Sequence, residues 1–203
     1  MKILNKSSEN EMIALFLNGE IKSQRWENKI NEIIKKENIN ENIIINPNLN
    51  NNNENKLRKL VLKIFRGYNN KEIFKNFPKK IDWNWAILDK NDILKIKYIT
   101  YDYWEELTNG TRYAKDSVKN IRNNIEIFGV SNNNFIKLSE YIKYGNKIEP
   151  LIILAPVEKK DNMIILEGHA RLTAINLVME YITEIKVLIG FVEERILNKW
   201  DKY

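Results

Sequence analysis

Hydrophobic positions in the first part of the chain recur at helical spacing. Met12, Ile13, Leu15, Phe16 and Leu17 follow Ser8-x-x-Glu11, the spacing of a capping box, so a helix is predicted to open at Ser8. Trp26, Ile30, Ile33 and Ile34 keep a period of about 3.6 residues behind Ser23, the expected cap of a second helix. After the Asn-rich stretch between Asn48 and Asn55, Leu57, Leu60, Val61, Ile64 and Phe65 define a third, closed by Gly67. Lys71 to Phe77 forms a short fourth helix that must stop before Pro78. Trp83 and Trp85 then alternate within IDWNWAIL, which reads as a short extended or turn segment packed on the helices.

Beyond Asn91 the pattern mixes strands and helices. Ile93–Ile99 is β-compatible, and a helix through Tyr103, Trp104 and Leu107 follows it to Asn109-Gly110. Two more helices are expected around Asp116–Asn124 and, capped by Ser131, around Asn132–Tyr144, with Gly145 as the stop. Leu151–Ala155 reads as a buried strand, and a turn at Lys159-Lys160-Asp161-Asn162 returns the chain through Met163–Leu166 as a hairpin. Glu167-Gly168 leads directly into a helix from His169 to about Glu180, and Glu184–Phe191 is a last strand. The expected fold class is α+β: a small mixed sheet with helices, preceded by an α-helical N-terminal part. The change of pattern divides the chain into residues 1–91 and 92–203.

Charge changes at the same place. Residues 1–91 hold 17 Lys/Arg against 11 Asp/Glu, whereas residues 92–203 hold 16 of each, so the first part carries the whole net charge of +6. Lysine, asparagine and isoleucine dominate the chain, and all three have A/T-rich codons, which weakens the meaning of the basic surplus. Arginine is scarce by comparison, which singles out Arg25, Arg58, Arg66, Arg112, Arg122, Arg171 and Arg195. The absence of cysteine excludes disulfides, thiolate metal sites and cysteine nucleophiles. With His169 as the single histidine, histidine-rich metal sites are excluded too. No signal peptide or membrane span is legible, so a cytoplasmic protein is expected.

The sharpest chemical feature is LEGHARLTA, residues 166–174, at a strand-to-helix junction. Gly168 permits a tight turn and close approach of a ligand. The first helical amides, from His169 to Arg171, then point outward with the positive end of the helix dipole behind them, which is an anion site. Arg171 can fork onto the same anion, His169 can donate to phosphate oxygens or shuttle a proton, and Glu167 can act as a general base or hold Mg²⁺. The same string also fits a plain turn in which Glu167 meets the dipole and Arg171 is solvated.

Strand, helices, strand, hairpin strand, box and strand, in that order, resemble the ParB/sulfiredoxin-like superfamily. The segments that carry the resemblance are Pro150-Leu-Ile-Ile-Leu, Ile164-Ile-Leu-Glu-Gly-His-Ala-Arg-Leu-Thr-Ala and Ile185-Lys-Val-Leu-Ile, within residues 92–192. The resemblance implies a nucleotide or phosphate at the box, of ATP, ADP or CTP type, with Mg²⁺ as companion. His169 stands where sulfiredoxin carries its cysteine, which excludes reductase chemistry, and His169 and Ala170 replace the Glu and first Arg of the chromosome-partitioning members. The box of the free serine kinases, an acidic residue followed by Gly-His-x-Arg, is the nearest form. Its implication is a phosphotransferase or nucleotide hydrolase acting on a small molecule, with Glu167 and His169 as catalytic candidates.

Two further segments are candidates. Gly110, Thr111 and Arg112 can supply amides, a hydroxyl and a guanidinium to a second phosphate, or else form an ordinary helix stop. Tyr103 and Trp104 can stack on a base or lie in the core. The stretch Lys56–Lys80 holds nine Lys/Arg against the single acid Glu72. On its helix Arg58, Lys59, Lys63 and Arg66 avoid the Leu57/Leu60/Ile64 face. This stripe supports an alternative function as a nucleic-acid-binding module or nuclease, or is simply solvated. Arg66 and Tyr68, at its end, are candidate contacts to the acceptor substrate.

Overall fold

The computed structural model describes residues 1–23, 25–69, 71–158 and 161–201. Lys159 and Lys160 of the predicted turn lie outside the described residues. The chain is α+β, as its patterning predicts. Its six described strands are β1 (Lys2–Lys6), β2 (Asp82–Asp89), β3 (Ile96–Lys97), β4 (Leu151–Pro156), β5 (Met163–Glu167) and β6 (Glu184–Val192), in one mixed sheet of order β1-β2-β6-β4-β5-β3. β4 and β5 form the expected antiparallel hairpin, while β4 runs parallel to β6 and β3 parallel to β5. The helices are α1 (Glu9–Ile21), α2 (Glu27–Lys36), α3 (Asn42–Ile45), α4 (Asn52–Arg66), α5 (Lys90–Ile93), α6 (Asp102–Leu107), α7 (Ser117–Arg122), α8 (Asn133–Lys143), α9 (His169–Leu177) and α10 (Glu194–Asp201).

Both faces of the sheet are covered, which explains why β4 is apolar and buried at every position. On one face Ile152, Leu154, Ile164, Leu166 and Leu188 pack against Phe16, Leu17, Ile30, Val61 and Phe65 of the N-terminal helices and Trp200 of α10. On the other, Leu151, Ile153, Met163 and Ile165 pack against Leu172 and Ile175 of α9 and Ile142 of α8. The pattern boundary near Asn91 falls between β2 and β3, so strands from both parts build the same sheet.

Several elements differ from the sequence expectation, each for a local reason. IDWNWAIL is extended and its tryptophans pack with the helical core as expected, but it is no short segment: it belongs to the eight-residue strand β2, paired along its length with β6 and on its other side with β1. Residues 71–77 form only a 3₁₀ turn at Glu72–Phe74, because Glu72 and Asn76 take left-handed backbone conformations that no helix continues through. Ser8 caps α1 through Glu11 N, but the Glu11 carboxylate turns to Ser7 Oγ, so half of the capping box forms. Ser23 makes no side-chain cap; its carbonyl accepts from Trp26 and Glu27 instead. Only Ile96–Lys97 of the run Ile93–Ile99 is strand, and α9 stops at Leu177 with a 3₁₀ turn behind it.

α4 begins at Asn51, whose side chain caps the amides of Asn53 and Glu54, and ends as expected at Gly67 in the left-handed conformation. Its buried face, however, is Asn55, Arg58, Val61, Leu62 and Phe65, with Leu57, Leu60 and Ile64 partly exposed. Arg58 is rotated fully inward, where its guanidinium donates to the carbonyls of Ile43 (2.8 Å) and Asn48 (3.1 Å), to Asn55 and to Glu54. It latches the Asn-rich loop to the helix. Replacing it by alanine strands those acceptors, so Arg58→Ala is expected to lower stability by about 3 kcal/mol in denaturant unfolding. A change within about 0.5 kcal/mol, as for an exposed residue, would contradict this role.

Candidate functional site

β5 delivers Glu167 to the edge of the core, and Gly168 turns the chain into α9 at φ 98°. That conformation favours glycine, and a Cβ there would also lie 2.6 Å from Leu151 Cδ2. The first main-chain hydrogen bond of α9 runs from Leu172 N to Gly168 O at 2.8 Å, and no side chain caps the terminus. The amides of His169, Ala170 and Arg171 are therefore left for an outside acceptor, with the helix dipole behind them.

Arg171 is neither solvated nor free. It pairs with Glu167, one helical turn away, and donates to the carbonyls of Glu149 (2.7 Å) and Pro150 (3.2 Å) just before β4. Both side chains are nearly buried. The end of α1 closes over the pair: a Cβ at Gly19 would stand 3.2 Å from Arg171 Nη2 and 3.4 Å from Glu167 Oε2. The N-terminal helices thus form one wall of the box.

That wall brings Glu20, which the patterning did not mark, together with Arg66 and Arg25, which it did. Glu20, next to Gly19, is buried, and burial together with the charge of Glu167 pushes its carboxyl up to about 8, against the opposing pull of Arg66, Arg171 and Arg25. Arg66, at the end of α4, and Arg25 both lie over the ring of Trp26, at 4.9 and 4.7 Å. Arg66 Nε is buried without a hydrogen-bond partner. His169 stacks on Trp104 at 5.3 Å, and Trp104 stacks on Tyr98 at 4.4 Å, so the Trp104 ring is engaged within the protein. Burial, reinforced by the charges of Arg66 and Arg171, holds the His169 imidazole down at about 3. It is therefore neutral in the unliganded protein near pH 7. Three guanidiniums, Arg25, Arg66 and Arg171, lie close enough for their charge to bear on Glu20, and Arg171 alone of them pairs with Glu167.

Arginine scarcity pointed toward Arg25 and Arg66, and a glycine inside the apolar run of α1 was the available signal for Gly19 and Glu20. Other candidates fall elsewhere. Gly110 N donates to Glu105 O, Thr111 N to Thr108 O and Arg112 N to Thr108 Oγ1, so this turn satisfies its own amides. The Arg112 guanidinium forks onto Asp201 at 2.6 and 2.7 Å, and the Thr111 hydroxyl bonds Thr108 O and Asp116. The segment is a helix stop tied to α10. Tyr68 is buried among Phe74 and Phe77 and donates to Glu9, so it is a core residue. With Arg58 inside and Arg66 at the box, the basic stripe keeps mainly lysines exposed, and Lys59 pairs with Glu9.

An open groove of about 680 Å³ lies at the other end of α1, lined by Ser8, Glu9, Lys79, Lys80, Trp83 and Phe191, and shares no residue with the box. Among the described residues no group of three His, Asp or Glu side chains is placed to hold a metal ion. Glu167, paired with the Arg171 guanidinium and nearly buried, does not fit a resident cation. Compared with family models, curated proteins and solved structures, the chain matches none of them. Among the described residues no helix is long and apolar enough to cross a membrane.

The two shifted groups give opposite pH slopes. Glu20 keeps a proton in the folded state that the unfolded chain, at its ordinary 4.5, gives up. Its contribution is complete below pH 4.5 and is lost as pH rises through about 8. His169 refuses a proton that the unfolded chain takes at 6.5, so its contribution is complete above that pH and is lost as pH falls toward about 3. Melting temperatures across this range should show the decline between pH 4.5 and about 8 flattened in Glu20→Gln and the decline below pH 6.5 flattened in His169→Gln. A wild-type profile in either variant would contradict the assignment of that slope.

Proposed function

We propose that the chain binds the phosphate of a nucleotide at Glu167-Gly168-His169-x-Arg171 and acts as a phosphotransferase or nucleotide hydrolase on a small molecule. The observation that carries this reading is the uncapped amino terminus of α9 beside three guanidiniums, Arg25, Arg66 and Arg171, whose charge bears on the buried Glu20. Amides of residues 169–171 receive phosphate oxygens, and Arg66 and Arg25 neutralise the charge that remains. Phosphoryl transfer depends on positioning and charge neutralisation more than on a special nucleophile, which suits a chain without cysteine. Mg²⁺ enters with the nucleotide, held chiefly by its phosphates.

Within this reading Arg171 is a positioning residue, since its guanidinium already ties Glu167 to the start of β4. Glu167 is the candidate base for the acceptor hydroxyl, and His169 offers one neutral hydrogen bond to the phosphate. The likeness of the box to that of the free serine kinases in the ParB/sulfiredoxin-like superfamily supports the same chemistry. Residues from α1 and α4 line the box and select the acceptor.

Calorimetric titration with ATP, ADP and CTP, each with Mg²⁺, tests the reading directly. Wild type is expected to bind at least one of them. Arg171→Ala should weaken that binding about a hundredfold, because it removes a positive charge and leaves the Glu167 carboxylate unpaired beside the phosphate. A thermal melt beside each titration confirms that the variant is folded. Unchanged affinity in a folded variant, or no binding of any nucleotide by wild type, would contradict the phosphate role of the box.

A further inference from the structure

Three buried side-chain atoms around the box have no hydrogen-bond partner: Arg66 Nε, Tyr103 Oη and His169 Nε2. Buried polar atoms are nearly always paired, so three orphans in one neighbourhood need a physical reason. They come from separate elements, the end of α4, α6 and the first residue of α9. Trp104 draws two of them together, packing edge-on against Tyr103 at 4.8 Å and stacking on His169 at 5.3 Å. Arg66 is close enough for its charge to bear on both His169 and Glu20, and Arg25 for its charge to bear on Tyr103 and Glu20.

All three orphans can donate a hydrogen. A guanidinium only donates, a phenol donates readily, and a neutral imidazole carries one N–H. Unpaired donors beside excess positive charge call for a ligand rich in acceptors and negative in charge. His169 links this cluster to the helix terminus, because its amide belongs to the terminus and its imidazole to the cluster.

We propose that Arg66, Tyr103 and His169 form a second anion subsite beside the α9 terminus, which takes a further phosphoryl group of the same ligand. The ligand class is therefore a polyphosphate, held by two adjoining subsites, one of which the N-terminal helices supply through Arg66. The subsite rests on the phosphate reading of the box for its neighbour and shares His169 with it, while Tyr103 belongs to the subsite alone.

The test uses inorganic phosphate and pyrophosphate as probes, titrated calorimetrically into wild type, Arg66→Met and Tyr103→Phe at one pH and ionic strength. Wild type should bind pyrophosphate about tenfold or more tightly than phosphate. Each variant should lose roughly that factor for pyrophosphate, Tyr103→Phe with its phosphate affinity within about twofold and Arg66→Met with a clearly smaller loss for phosphate than for pyrophosphate. Tyr103→Phe carries a second readout, since deleting an unpaired buried hydroxyl should raise the melting temperature of the unliganded protein by a few degrees or leave it unchanged. If both variants bind pyrophosphate as wild type does, the subsite is overturned and the box stands. If wild type binds neither probe, both fall. A melting temperature lowered by several degrees in Tyr103→Phe would show that the hydroxyl has a structural partner and would also overturn the subsite.

Discussion

The guanidinium of Arg171 pairs with Glu167, donates to the carbonyls of Glu149 and Pro150, and is closed over by α1 at Gly19. One side chain thereby joins the strand before the box, the chain entering β4 and the helix from the other part of the sequence. Because these contacts are nearly buried, they are weakly screened and geometrically demanding. They fix where α9 starts relative to β4 and β5, and so where its free amides point.

The electrostatics of the neighbourhood follow from that closure. Bringing α1 down on the box buries Glu20 next to Glu167, and two carboxylates in a dry space cannot both ionise cheaply. Glu20 therefore holds its proton at neutral pH, His169 stays neutral beside two arginines, and positive charge is left in excess. A neutral carboxyl, a neutral imidazole and surplus guanidiniums support the proposed oxyanion ligand over a cation. This is why the N-terminal helices matter to the site as well as to the core.

How much of this is legible in the sequence depends on the range of each interaction. The hairpin, the Gly168 turn and α9 are local, and their apolar runs and turn residues mark them in place. β1 and β2 are not local: Lys2 pairs with Ile87 across most of the N-terminal part, and an exposed strand such as β1 carries no alternation to reveal it. α4 is apolar on two sides, so its periodicity predicts the helix but not the face. The inward turn of Arg58 depends on carbonyls from a distant loop. Arg66 stands out by the rarity of arginine, whereas Glu20 resembles any helical acid until the fold seats it beside Glu167. Arg112 is the converse case, with a promising local string whose guanidinium is claimed by Asp201 near the other end of the chain.

In the proposed binding mode one anion engages the open turn of α9 and the arginine of α4 together. Backbone amide and arginine side-chain ¹⁵N–¹H resonances, followed as ADP is added, test it most directly. The account predicts that the amides of His169, Ala170 and Arg171 and the Arg66 Nε–H shift together, with a single apparent affinity. Stationary signals at these four groups while those of the exposed lysines between Lys56 and Lys80 move would contradict it.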